Sequence, residues 1–275
     1  MTTDEKFNNL KNRLREMDRA VIAFSGGVDS TFLLKAATMS GMSEVLAVTG
    51  LSESLPEEEA AFAAEITASL NVRHRTLMTE ELKNEEYAKN PPDRCYYCKK
   101  ELFGRLREIA GEGDFHFILD GTNADDAHDW RPGLRAAREE GVASPLLEAG
   151  LGKKEIRELS CALGLRTWDK PATPCLSSRF PYGQKITAEA LERVSKAETF
   201  IKGLGIKELR VRNHAEVARI EVLPEDFPKL LRGREDVAGY LRTLGFKYVT
   251  LDLQGFRSGS SNEVLKAADG NGLKQ

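Results

Sequence analysis

The hexapeptide Ser25-Gly26-Gly27-Val28-Asp29-Ser30 follows an apolar run, Val21-Ile22-Ala23-Phe24, and leads into a stretch with helical spacing. A strand that breaks on two glycines and restarts as a helix presents unpaired backbone amides at the positive end of a helix dipole. The hydroxyls of Ser25 and Ser30 add donors, and the glycines let the backbone approach an oxyanion closely. The chemistry this suits is phosphate binding. The lysine of a Walker A loop is missing, as is the third glycine of a dinucleotide fingerprint. The later run Gly150-Leu151-Gly152-Lys153-Lys154 does not restore a Walker loop, because Leu147 stands where its first glycine is required. A plain Gly-Gly turn is the bland alternative. Two flanking serines, an aspartate and the strand-to-helix setting favour the phosphate site.

Thiols come next. Cys95 and Cys98 lie in PPDRCYYCKK, and a helix beginning near Asp93 would project both thiolates, three residues apart, from one turn. Such a pair binds zinc, does redox chemistry or holds part of an iron-sulfur cluster. Structural zinc asks for four protein ligands, and no second CxxC or paired histidine accompanies this one. Cys161, inside the amphipathic KKEIRELSCALGL, reads as a small buried hydrophobe.

Charged residues supply three further candidates. LDGTNADD at 119–126 gathers Asp120, Asp125 and Asp126 behind a strand, either as metal or nucleotide contacts or as an Asx-rich turn. Arg210 and Arg212 are two apart in a strand and share a face, which suits an anion or a solvated basic surface equally. Glu198, on a helix, reads as solvated, with a metal or subunit contact as the alternative.

The elements that must position these groups follow from hydrophobic period. Phe7, Leu10, Leu14 and Met17 recur at helical spacing; short apolar runs mark strands at 21–24, 45–49, 72–77 and 115–119. Helices are expected from about Ser30 and over Pro56–Leu70, the latter with proline in its first turn and Glu57 to Glu59 behind it. This βαβα order predicts an α/β fold with a parallel sheet covered by helices, its ligands at the carboxyl ends of the strands. After about residue 180 the pattern changes. Thr187 is placed to cap a helix whose Leu191, Val194, Ala197, Ile201 and Leu204 face a core and which Gly205 ends. Strands at 208–212, 217–223 and 246–253 and a helix near 225–244 complete a smaller α+β unit. The expected domains are 1–180, 181–260 and a frayed tail, 261–275.

Composition excludes several classes. Forty Lys and Arg against 43 Asp and Glu leave a net charge of −3, so there is no global attraction to nucleic acid or an anionic membrane. The first eighteen residues are charged throughout and lack an apolar signal core, and no run is long enough to span a bilayer. A cytoplasmic protein is expected, with its four cysteines reduced rather than paired.

SGGVDS resembles the pyrophosphate loop of the PP-loop ATP-pyrophosphatases, which have the adenine nucleotide alpha hydrolase-like fold and cleave ATP between its α and β phosphates to adenylate a substrate oxygen. The resemblance implies that Ser25, Gly26, Gly27, Asp29 and Ser30 hold pyrophosphate, with Asp29 near Mg2+, and that Asp120, Asp125 or Asp126 contacts metal or nucleotide. WRPGLRAAREEGVASPLLE at 130–148, PCLSSRFPYG at 174–183 and YVTLDLQGFRSGSSN at 248–262 extend it to the LarE family, over residues 4–262. Members of that family are sulfur transferases that adenylate a carboxylate of pyridinium-3,5-biscarboxylic acid mononucleotide and replace the adenylate with sulfur, for the nickel-pincer nucleotide cofactor. The resemblance implies that Cys175 is catalytic and that Ser178, Arg179, Arg210 and Arg212 bind the substrate phosphate, with His214, Arg257 and Ser258 as further candidates. Many relatives have a single cysteine and sacrifice its sulfur. This chain departs from them by adding Cys95 and Cys98, and a subgroup with three such cysteines implies a [4Fe-4S] cluster on Cys95, Cys98 and Cys175, recharged from a sulfide source, in a homo-oligomer. Sacrifice of Cys175, a tRNA thiolase and an ATP-holding sensor are the competing readings. No glutaminase domain accompanies the loop, and a pI near 6.0 gives a tRNA enzyme little support.

Overall fold

The computed structural model describes residues 1–128 and 131–257. Two compact units result: residues 1–87 with 91–173, and residues 88–90 with those from 174 onward.

The first unit begins with α1 (Thr3–Met17), closed at its start by a capping box in which Thr2 and Glu5 satisfy each other's backbone amides. There follow β1 (Arg19–Ala23), α2 (Val28–Ser40), β2 (Glu44–Leu51), α3 (Glu57–Ser69), β3 (Arg73–Met78), a short α4 (Glu85–Ala88) and α5 (Arg94–Glu112). Next come β4 (Phe117–Leu119), α6 (Pro132–Glu139), α7 (Pro145–Glu148) and α8 (Lys153–Ala162). The four strands are all parallel, in the order β3-β2-β1-β4, as the alternating pattern predicts.

β1 shows why its run is apolar without alternation. Ala20 and Ile22 point into a core shared with α1, α2, α3 and α8, where Leu10, Leu14, Phe32, Ala63 and Ile156 lie. Val21 and Ala23 point the other way, into a second core with Phe103 and Leu106 of α5 and Ala136 of α6. A strand buried on both faces has no polar side to show. β1 leads through α2 to β2 on one flank while β4 lies on the other, so the chain's direction across the sheet reverses between β1 and β4. In open α/β sheets a crevice opens at that point, beyond the carboxyl ends of the strands.

The second unit contains α9 (Ala188–Gly203), β5 (Leu209–His214), β6 (Val217–Val222), α10 (Phe227–Arg232), α11 (Arg234–Thr243) and β7 (Tyr248–Leu251). β5 and β6 pair antiparallel, and β6 and β7 parallel. Thr187 caps α9 as expected, its hydroxyl accepting from the Ala190 amide at 3.2 Å. Ala197, Ile201, Val211, Ile220, Val237 and Leu241 form the separate core of this unit. The single helix expected over 225–244 is two helices, parted at Gly233.

The change of unit falls at 173/174, where the sequence suggests 180, and residues 88–90 join the second unit. Backbone pairing explains both: the Gly183 amide donates to the Asn90 carbonyl at 2.9 Å and the Ile186 amide to that of Ala88 at 2.8 Å. The buried Asn90 amide side chain donates to the Phe180 and Pro181 carbonyls at 3.3 and 2.8 Å. The expected tail, 261–275, and Ser258 lie outside the described residues. Among the described residues no helix is long and apolar enough to cross a membrane.

Candidate active site

The glycine hexapeptide turns immediately beyond β1 and delivers the chain into α2. Gly26 has φ +68°, the left-handed region that glycine adopts without strain, and a side chain there would meet the backbone of Ala63 at 3.3 Å. Gly27 is the N-cap of α2 and no side chain caps that helix end. Ser25 and Ser30 bring their hydroxyl oxygens to 3.1 Å, and the Gly27 amide points at Ser25 Oγ, 3.3 Å away. Amides and hydroxyls thus converge on one side of the turn, in an arrangement that receives phosphate oxygens.

Asp29 stands in the first turn of α2 with its carboxylate divided between two situations. Oδ2 is ion-paired with the Lys153 ammonium, whereas Oδ1 is buried with no hydrogen-bond partner. A buried carboxylate oxygen without a donor fits a hard divalent cation, so Asp29 is suited to hold Mg2+.

The loop after β4 supplies the other wall. Gly121 packs so tightly on the start of α2 that a Cβ would lie 2.9 Å from the Ser30 amide nitrogen. Asp120 is buried and fully engaged, accepting from the Thr122 amide at 3.1 Å, the Thr122 hydroxyl at 2.8 Å and the Ser144 hydroxyl at 2.7 Å. It shapes the loop. Asp125 is exposed and accepts from the Lys153 amide at 2.7 Å, which closes the start of α8. Asp126 is buried, bonded to the Asn123 amide at 3.1 Å and ion-paired with Arg131 at 2.7 Å. Burial pushes its carboxyl above the usual range and the charge of Asp29 adds to this, against the pull of Asn123, Arg131 and Lys153.

Two lysines complete this site, and no sequence motif marks either as a contact. Lys153, in a run that fails as a Walker motif, reaches Asp29 from the first turn of α8. Lys170 donates to the Gly26 carbonyl at 3.3 Å and pairs with Glu59 at 2.8 Å. The signal for Lys153 was its place at a helix start in a βα unit; for Lys170, five residues before Cys175, there was none.

In the second unit Cys175 is half-buried and precedes a tight 3-10 turn, Leu176–Arg179. Arg179 is 1% exposed. Its guanidinium grips Glu198 with two bonds, at 2.9 and 3.0 Å, and donates to the Pro174 carbonyl at 2.8 Å, the Cys175 carbonyl at 3.2 Å and Ser178 Oγ at 2.9 Å. Arg212 is held by Glu221 at 2.8 and 3.0 Å and donates to the Ser178 carbonyl at 2.8 Å. Residues 175–179 and 210–212, far apart in sequence, therefore form one cluster, and Arg179 and Arg212 hold its backbone. Arg210, on the same face of β5 as Arg212, lies over the Phe256 ring at 5.0 Å. Burial, and then the positive charge of Arg179, push its guanidinium down to about 10. Burial, with Arg219 and Arg212, likewise lowers His214. Glu198 corrects the solvated reading: it is buried, paired with Arg179, and accepts from the Val211 amide at 3.0 Å. The spacing 191, 194, 198, 201 puts it at a core position of α9, a signal present in the sequence. Glu221 lies directly across the antiparallel ladder from Arg210.

Cys95 and Cys98 occupy the first turn of α5, exposed and half-buried respectively. Cys161 is exposed on α8, which corrects its reading as a buried hydrophobe. No group of three or more His, Cys, Asp or Glu among the described residues is arranged to hold a metal ion. A cleft of about 540 Å³ lined by Leu46, Arg73, His74, Arg75 and Phe115 lies at the amino ends of β2 and β3, away from the glycine loop.

The model of the family described as queuosine biosynthesis protein QueC matches residues 19–88, which carry the glycine loop. Over 256 residues, 93% of both chains, the sequence is 40% identical to pyridinium-3,5-bisthiocarboxylic acid mononucleotide synthase of Lactiplantibacillus plantarum. This chain belongs to the LarE family. An uncharacterized protein of Synechocystis is 43% identical over 95% of this chain and 98% of its own. One from Methanocaldococcus jannaschii is 32% identical over 92% and 98%. The QueC match identifies a PP-loop domain in the first unit, and the LarE likeness runs through both units.

Proposed function

We propose that this chain, an ATP-dependent sulfurtransferase by family, converts a carboxylate of pyridinium-3,5-biscarboxylic acid mononucleotide to a thiocarboxylate. The likeness to the Lactiplantibacillus synthase over 93% of both chains carries this reading. A carboxylate resists nucleophiles until its oxygen becomes a leaving group. In the first step a substrate carboxylate oxygen attacks the α-phosphorus of ATP. The bond from that phosphorus to the bridging oxygen breaks, and pyrophosphate leaves. Charge grows on pyrophosphate, where the α2 amides, Ser25, Ser30 and Lys153 act as fixed donors. Mg2+, when held by Asp29, neutralises the phosphate oxygens. In the second step hydrosulfide adds to the acyl carbon and loses its proton, and AMP departs with the bonding pair. The Arg179–Glu198 pair holds the Cys175 turn, and Arg210 faces the substrate phosphate together with Ser178 and Arg212.

For the origin of the sulfur we propose a [4Fe-4S] cluster on Cys95, Cys98 and Cys175, which when bound would carry the sulfide. Support comes from sequence and from the two thiols sharing one helical turn. With two thiols in that turn the ligand set is incomplete without Cys175, and the steps above do not depend on it. Loss of the Cys175 sulfur itself is the alternative. Anaerobic reconstitution with iron and sulfide should bind about four irons per chain. Alanine at any of the three cysteines should abolish binding, and Cys161→Ala should retain it. Dehydroalanine at Cys175 after one turnover would select sacrifice instead. The whole reading is tested by pyrophosphate release that depends on the pyridinium dicarboxylate. A cytoplasmic homo-oligomer, checked by light scattering, belongs to the same proposal.

A further inference from the structure

Lys170 is bound at both its ends. Its ammonium donates to the Gly26 carbonyl at 3.3 Å and to Glu59 at 2.8 Å, and packs over the Phe62 ring at 3.9 Å. Its own carbonyl accepts from Arg157 at 2.8 Å, and the same guanidinium holds the Trp168 carbonyl at 2.6 Å. Arg157 lies one turn along α8 from Lys153, whose ammonium pairs with Asp29. The contacts thus close a ring that starts at Asp29, passes through α8 and residues 168–170, and returns to Gly26. Both ends of the ring are on the glycine hexapeptide.

The contact with Gly26 has a defined consequence. A trans peptide is planar, with its C=O and N–H on opposite sides. A donor that fixes the Gly26 carbonyl therefore fixes the direction of the Gly27 N–H, which points the other way, toward Ser25 Oγ and the converging hydroxyls.

We propose that Lys170 is a positioning residue: by holding the Gly26 carbonyl it aims the Gly27 amide at the leaving pyrophosphate. This inference rests on the adenylation proposed above.

With ATP and the pyridinium dicarboxylate, Lys170→Ala should lower kcat for pyrophosphate release by about tenfold with KM for the dicarboxylate near native, and Lys170→Arg should restore most of the rate because it retains donors for Gly26 and Glu59. A native kcat in Lys170→Ala, or a loss that Lys170→Arg does not restore, overturns the inference. A wild type that releases no pyrophosphate with this substrate would sink the proposed reaction, and the inference then turns on a readout that needs no turnover. In a Trp130→Phe background, the α,β-methylene analogue of ATP should shift the emission of Trp168 in the otherwise native chain and in Lys170→Arg, but not in Lys170→Ala. No shift in the native chain, or an equal shift in Lys170→Ala, overturns it.

Discussion

The ammonium of Lys153 is ion-paired with the carboxylate of Asp29, 124 residues away in sequence, and so joins the start of α8 to the first turn of α2. Both side chains keep some exposure, so screening limits what the pair contributes to folding. Its weight falls on the charge balance at the glycine loop.

Lys153→Ala should therefore lower substrate-dependent pyrophosphate release by on the order of 100-fold, the usual effect of losing one preorganised donor, with little change in melting temperature. Asp29→Ala should do the same. The double variant should be non-additive, since the two groups face each other. Additive losses in that cycle would show that they act separately.

Gly121→Ala tests how tightly the loop after β4 is pressed on α2. A Cβ 2.9 Å from the Ser30 amide nitrogen meets backbone, not a flexible side-chain end, so the start of α2 must move. Overpacking of this kind costs about 1–3 kcal/mol. Thermal melting should show that loss, and ATP binding should fall with it. Native affinity in the variant would mean that the loop gives way without disturbing Ser30.

The arginines around Cys175 should separate into two kinds. Arg179→Ala leaves the Glu198 carboxylate buried and unpaired, a change that costs about 3–5 kcal/mol, so the variant should unfold at much lower denaturant. Arg210→Ala should leave stability nearly native and weaken the pyridinium nucleotide tenfold or more, since a bond to a charged group contributes about 1.5–3 kcal/mol. Equal loss of stability in both would erase the distinction.

His74 gives a pH dependence with a definite sign. The Thr49 hydroxyl donates to the Phe24 carbonyl at 2.8 Å, so its oxygen must accept from His74 Nε2 at 2.9 Å, and the neutral ring carries its proton there. Burial lowers the folded-state pKa of this imidazole below its value in the unfolded chain. The unfolded state then binds more protons as pH falls below about 6.5, and stability declines in that window. Denaturant midpoints for wild type and His74→Gln between pH 7.5 and 5 should show a shallower decline in the variant.

The parallel sheet, the glycine loop at the end of β1 and the separate second unit were all legible in the sequence, because each depends on local period and turn chemistry. Alternation between two cores made β1 apolar throughout, and two glycines between strand and helix allow few backbone paths. Thr187 and the apolar stripe of α9 could be read for the same reason, as could the shared face of Arg210 and Arg212. Tertiary structure alone decided the partners. Lys153 meets Asp29 only because α8 packs beside α2, and Lys170 meets Gly26 only because Arg157 holds its backbone. The burial that turns Arg179 and Glu198 from surface charges into a pinned pair, and the exposure of Cys161, likewise depend on which element covers which. Pairing of charges across 100 or more residues leaves no trace in spacing, since the chain between them can take any length that closes the loop.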